Sequence, residues 1–160
     1  MQFFPPAADW ELAEVNIARL LAPMTDPKTQ PFVDALDRIN GIAERMDGFL
    51  WRHVDTGTST FCDDPLMIYN ASVWCDLPSL ERFVWGTVHA RFVDRRAEWF
   101  GVLESVQFAM WWVPPRTRVT FKEAKSRLAH LGEHGPSEYA FGWPSFPSSE
   151  KPDTQTDPAP

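Results

Sequence analysis

Asn70, Ser72 and Trp74 stand two residues apart in the run Leu66 to Cys75. Side chains at that spacing share one face of a strand. An amide, a hydroxyl and an indole on one face can orient a polar ring or a carbonyl inside an apolar pocket. Asn16, in an earlier apolar run, adds a second amide. The plainer reading is that the two Asn side chains bond across neighbouring strands or cap a loop. His89 follows Trp74 on the next predicted helix, with Trp85 four residues before it and Arg96 seven after, so all three can share one side. Its imidazole can serve as a general base or as an axial haem ligand. The alternative is a neutral core histidine bonded to a backbone carbonyl.

Metal and nucleotide chemistry are not expected. His130 and His134 are spaced as helical metal ligands can be, but Leu131 stands where an H-E-x-x-H pattern needs Glu, and His53 completes no convincing set. Cys62 and Cys75 form no C-x-x-C pair. There is no glycine-rich phosphate loop, Walker motif or G-x-S-x-G elbow.

Four strands and three helices must position these residues. Glu11 to Leu21 reads as a strand ended by Pro23. Asp26-Pro27 fits a helix start, and Phe32, Leu36, Ile39, Ala43 and Met46 recur at helical spacing up to Asp47-Gly48. Phe49 to Val54 is a short strand, Asp55 to Pro65 a loop, and Leu66 to Cys75 the clearest strand. Met67, Tyr69, Ala71 and Val73 point one way on it, and Ile68, Asn70, Ser72 and Trp74 the other. Asp76 or Ser79 caps a helix carrying Leu80, Phe83, Val84, Val88, Phe92, Trp99, Phe100 and Leu103, with Gly86 as a break or kink. Val106 to Val113 is a fourth strand stopped by Pro114-Pro115. Thr120 opens a last helix with Phe121, Ala124, Leu128 and Leu131 on one face, ended at Gly135-Pro136.

The order β-α-β-β-α-β-α predicts an α+β fold, a ferredoxin-like split βαβ with an added C-terminal helix. Residues 1–10 form an extension, 11–143 the domain, and 144–160 a Pro/Ser/Asp/Thr-rich tail too polar to fold. The aromatic stretch Phe141, Trp143 and Phe146 is expected to lie across the domain or a partner. An antiparallel sheet with helices on one side leaves its other face bare. That face is expected to carry Asn70, Ser72 and Trp74, and two copies pairing face to face would cover it and enclose a cavity. A homodimer is therefore predicted.

Eight Trp and twelve Phe exceed what a core of this size needs and suggest a cavity wall or a buried interface. A net charge of −7 argues against nucleic acid. The Arg91, Arg95 and Arg96 cluster reads as a solvated helix face. No apolar run approaches the roughly 20 residues a membrane span needs. The opening Met1-Gln2-Phe3-Phe4-Pro5-Pro6 lacks signal-peptide character, so a reduced, cytoplasmic protein is expected.

The stretch Asn70-Ala71-Ser72-Val73-Trp74, with Leu80, Phe83, His89, Arg95-Arg96 and Trp99-Phe100, resembles a bacterial family, domain of unknown function 3291. So do Glu14-Val15-Asn16-Ile17-Ala18-Arg19, Trp111-Trp112-Val113-Pro114, and the closing Arg127-Leu128 and His130-Leu131 with Gly135-Pro136. The resemblance implies a branch of the dimeric α/β-barrel superfamily, which holds antibiotic-biosynthesis monooxygenases, haem-degrading monooxygenases, polyketide cyclases and small-molecule binders. Fold alone selects none of these.

By resemblance to the cofactor-free monooxygenases, the expected ligand is a small aromatic or polyketide-like molecule and no cofactor is needed. His89 would take a phenolic or enolic proton, and Asn70 and Asn16 would steady the oxyanion. Trp74, Ser72, Trp85, Trp51, Trp112 and Arg96 would bind substrate, with one of Trp111 and Trp112 turned to the helices. The haem-degrading relatives suggest Asn16, Trp85 and His89 as a haem set, but Phe83 stands where their helical Trp is expected and the His comes about one turn early. A non-catalytic ligand-binding or scaffold dimer and a cyclase or isomerase remain alternatives.

Overall fold

The structure is a computed structural model and describes residues 2–55 and 61–145. Its four strands are β1 (Glu11–Arg19), β2 (Phe49–Arg52), β3 (Met67–Trp74) and β4 (Phe108–Val113). They form one antiparallel sheet in the order β2-β3-β1-β4, the ferredoxin-like arrangement expected from the element order. The helices are α1 (Gln30–Glu44), α2 (Leu77–Gly86), α3 (His89–Asp94) and α4 (Phe121–His134).

The first helix starts later than Asp26-Pro27. Asp26 Oδ1 accepts the Lys28 N–H at 2.8 Å, and Thr29 N–H bonds the Asp26 carbonyl, so these residues make a turn. Pro31 then falls in the first helical turn, where its missing N–H does no harm. At α2 the expected cap is present: Asp76 Oδ1 accepts the Ser79 N–H at 2.8 Å.

The second helix ends at Gly86, the residue at which the sequence predicts a break or kink. Thr87 has extended dihedrals, its hydroxyl donates to the Phe83 carbonyl at 2.6 Å, and the same hydroxyl accepts the His89 N–H at 3.2 Å. A short polar side chain thus offers the backbone an alternative to the helical ladder. The chain turns, runs through α3 and a 3-10 turn (Arg96–Glu98), and meets β1 again where Phe100 bridges Leu20.

Both faces of the sheet are covered by the chain itself. Leu12, Trp74 and Met110 lie under α1 and α2 against Ile39, Leu80 and Phe83. On the opposite face Ala13, Val15, Ala71, Val73, Ala109 and Trp111 are all 0% exposed. They pack with Val119, Ala124 and Leu128 of the C-terminal segment and α4. This corrects the expectation of a bare face. Asn70, Ser72 and Trp74 lie on the side of α1 and α2, and α4 occupies the side that a second copy was expected to cover. The sequence pattern showed an added helix but not where it docks.

The β4 edge is closed as well. Met110 and Phe141 exchange two backbone hydrogen bonds on the outer side of β4, at 2.8 and 3.0 Å. Phe3 stacks on Phe141 at 5.2 Å and its carbonyl accepts the Trp112 indole N–H. The first residues, and Phe141 and Trp143 of the aromatic stretch after α4, therefore lie along the domain's own edge strand. Of the expected tail, Pro144 and Ser145 end a 3-10 turn and Ser145 is buried; its remainder, and residues 56–60 of the expected loop, lie outside the described residues.

Gly48 has φ +90, and a Cβ there would lie 2.2 Å from Ser79 Oγ. Gly48→Ala is expected to cost more than about 2 kcal/mol and to lower Tm by roughly 5 °C or more. Gly86→Ala meets nothing within 4 Å and should leave Tm unchanged or slightly raised. Thermal unfolding of the two variants checks both.

Candidate functional site

The face of the sheet under α1 and α2 is built in rows across β3, β1 and β4. Trp74, Leu12 and Trp112 form the first row, Ser72, Glu14 and Met110 the second, and Asn70, Asn16 and Phe108 the third. Ile68 and Ala18 follow, and Leu20 closes the far end. Leu12, Trp74, Glu14, Ser72 and Met110 are buried. At the far end Leu20 is buried with Phe32 and Trp99. Between them Asn16 and Asn70 are exposed. The helical cover is therefore thinnest over the Asn16–Asn70 row and partial over Ala18 and Ile68, and two directly opposed amides form the floor of the opening.

Aromatic rings stand beside this floor. Phe108 is the neighbour of Asn16 on β4, and Trp143 stacks on it at 5.4 Å with the rings 7° from parallel. Trp85 of α2 meets Trp143 at 5.8 Å, edge to face. Its indole N–H is buried without a partner among the described residues. Phe92 of α3 packs against the apolar clusters at both ends.

Next to the floor lies a buried polar relay. The Trp74 indole N–H donates to Ser72 Oγ at 2.8 Å, and the Ser72 hydroxyl donates to Glu14 Oε1. Direction is set by chemistry, because an indole N–H can only donate and so turns the serine proton toward the carboxyl. Glu14 is 4% exposed. Burial pushes its pKa from 4.5 up to about 7, and the bonds from Ser72 pull only partly the other way. Among the described residues no cation offsets the burial.

This buried carboxyl was not foreseen from the sequence. The available signal was its place two residues before Asn16, on the same face of a strand whose other positions are mostly apolar. Whether that face was buried could not be read from the strand alone.

His89 takes the plainer of its two forms. Its Nδ1 lies 3.3 Å from the Val84 carbonyl, which can only accept, so the proton sits on Nδ1. Burial lowers its pKa, which keeps the ring neutral. The imidazole packs on Phe83 at 4.8 Å, and Phe83 stacks on Trp74 at 5.3 Å. Phe83 thus fills the space between the imidazole and the indole. Of the expected haem set Asn16, Trp85 and His89, His89 is tied to Val84 and packs on Phe83, while Trp85 packs on Trp143.

Other expected site residues are placed apart. Trp74 is 0% exposed and Ser72 is buried, so they support Glu14 rather than face the opening. Trp51 packs on the opposite face with the α4 cluster. A register shift between Phe49 and Trp51 breaks the alternation that would have kept it beside Phe49. Trp112 shares the face but is held by Phe3 at the covered end. Arg96 is exposed and donates to the Val93 carbonyl; once Thr87 turns the chain, Trp85, His89 and Arg96 no longer share a helix side.

Among the described residues no group of three His, Cys, Asp or Glu could hold a metal ion, and no helix is long and apolar enough to cross a membrane.

The sequence matches the family described as "Domain of unknown function (DUF3291)" over residues 11–157. The chain belongs to this family. No curated protein matches it. Solved structures similar to this DUF3291 chain include PA3566 from Pseudomonas aeruginosa, 17% identical, at a TM-score of 0.46. That match covers 71% of this chain and 99% of the other. SnoaB from Streptomyces nogalater, described as a cofactor-independent oxygenase, is 14% identical at a TM-score of 0.46, covering 69% and 97%. NE2512 from Nitrosomonas europaea, a protein of unknown function, is 11% identical at 0.46, covering 71% and 97%.

The raised pKa of Glu14 fixes the sign of a stability effect. Between pH 4.5 and about 7 the folded chain keeps a proton that the unfolded chain has released. This contribution is full below pH 4.5 and is lost as pH rises through 7. Glu14→Gln cannot ionise, so its stability relative to the wild type should rise from pH 5 to pH 8, by up to roughly 3 kcal/mol. His89, held neutral, acts with the opposite sign at acid pH, but it is common to both proteins and cancels. Urea unfolding of the pair across this range makes the measurement.

Proposed function

We propose that this protein is a small-molecule enzyme that binds an enolisable or phenolic aromatic ring at the Asn16–Asn70 opening and promotes its cofactor-independent oxygenation. The observation that carries this reading is the exposed pair of opposed amides, with the Glu14–Ser72 row buried on one side and the half-buried Ala18–Ile68 row leading to buried Leu20 on the other. A buried sheet face admits exposed amides only where the cover opens, and polar groups in an apolar recess give a ligand its orientation. The Phe108, Trp143 and Trp85 rings suit a flat ring as their partner.

Two amide N–H donors beside a substrate oxygen stabilise the charge that grows on it when the ring loses a proton. The resulting enolate is electron-rich enough to pass electrons to molecular oxygen, which is both the oxidant and the source of the inserted atom. With anthrone the balance is one oxygen molecule consumed, one oxygen atom retained as the new carbonyl and the other leaving in water.

His89 enters this reading as a positioning residue, through Phe83. The homodimer expected from the sequence stays part of this reading, and every residue named above comes from one chain.

Anthrone or a naphthol in aerated buffer should be consumed with matching oxygen uptake. Asn70→Ala and Asn16→Ala should each lower the rate by about 100-fold, the usual worth of an oxyanion donor. Uptake no faster than in buffer, or unchanged in both variants, would reject the oxygenase reading. Tight binding without uptake would favour the ligand-binding alternative.

A further inference from the structure

We infer that Glu14 is the catalytic base of this site: its Oε2 takes the proton from the substrate carbon next to the oxygen held by Asn16 and Asn70. This rests on reading the Asn16–Asn70 opening as the substrate site, and adds the group that starts its reaction.

The geometry carries the assignment. Glu14 and Asn16 are two residues apart on one strand and point to the same face, so their Cα atoms lie about 7 Å apart. A ring seated on the two amides reaches the Glu14 row with its neighbouring carbon. The relay from Trp74 through Ser72 ends on Oε1 and makes that oxygen an acceptor. Ser72 bonds the carboxyl through its backbone N–H as well. The proton is assigned to come and go at Oε2, the oxygen away from the Ser72 hydroxyl.

A structural carboxyl in a core would be expected to bond a cation or several donors at both oxygens. Here one residue, Ser72, serves the carboxyl through its hydroxyl and its backbone N–H, and the contributions to the carboxyl's acidity include no cation.

The surroundings suit a base that works near neutral pH. Across the sheet the neighbours of Glu14 are Ser72 and Met110. The helices over this end bring apolar Ala35, Ile39 and Ala43 from α1, and Leu80, Phe83 and Val84 from α2. The nearby titratable groups are His89, neutral behind Phe83, and Tyr69, on the opposite face, whose ionisation the Glu14 charge opposes. None is a cation that would hold the carboxylate in its weakly basic form. The step balances simply. A C–H bond breaks, the proton passes to Oε2, and the electron pair stays on the substrate as an enolate whose oxygen the amides hold. In deuterated water the acid returns a deuteron to the same carbon.

That exchange gives a test independent of oxygenation. Anthrone in deuterated buffer under nitrogen should lose its C10 proton signal faster with wild-type protein than without. Glu14→Gln, which keeps an oxygen for the Ser72 hydroxyl, should lower the protein-dependent rate by about 100-fold or more, with its circular dichroism and Tm showing that it is folded. In the wild type the rate should climb with pH and level off through an inflection near 7. Exchange at the wild-type rate in folded Glu14→Gln, or a wild-type profile flat from pH 5 to 8, would overturn the assignment while leaving the site standing. Should wild-type protein leave both exchange and oxygen uptake at buffer rates, the site reading itself fails and takes this inference with it.

Discussion

The central strand β1 is enclosed from both sides, and every polar group it carries must be satisfied in place or left a way out. It has β3 on one flank and β4 on the other, α1 and α2 over one face and α4 over the other. Five of its nine residues are buried, and burying each large apolar one contributes about 1.5–3 kcal/mol. Glu14 is the exception inside that strand. A charged carboxylate there would cost several kcal/mol without a cation, and the chain instead supplies one hydroxyl, itself oriented by an indole. The outcome is a carboxyl poised between its two forms near neutral pH. Asn16, one row on, is satisfied the other way, by exposure.

The same enclosure explains why the packing above the strand is so aromatic. Trp74 must lie flat enough to reach Ser72, and Phe83 stacks on it from α2 while Phe49 meets it edge-on from β2. His89 backs Phe83 and is itself tied to Val84. Each ring holds the next, from the start of α3 down to the carboxyl. The histidine therefore bears on the site as the outer end of a stack, through ring packing rather than through its own proton.

Two local devices decide which aromatic side chains reach the site. The register shift between Phe49 and Trp51 sends Trp51 to the α4 face. The Thr87 hydroxyl, bonded on both sides of a turn, ends α2 and gives His89 a new element of its own. A third contribution comes from far along the chain. The Met110–Phe141 bridge lays the segment after α4 along β4 and brings Trp143 onto Phe108, beside Asn16. The opening is thus framed by residues from the beginning, middle and end of the domain, all within one chain.

The amino-acid sequence by itself determined the elements and their order, because strand alternation, helical spacing and caps such as Asp76 are local properties. It also determined that Asn70, Ser72 and Trp74 share a face, and it pointed to Asn16, which the register sets directly opposite Asn70. Only the tertiary structure decided which cover each face received. The docking of α4 on the Ala71–Val73 side buries a face expected to be bare, and no pattern within α4 says which face it will choose. For the same reason Glu14 was not legible as a functional group. A glutamate in a strand is ordinary until neighbours remote in sequence remove its water, and only then does its acidity become a chemical property of the site.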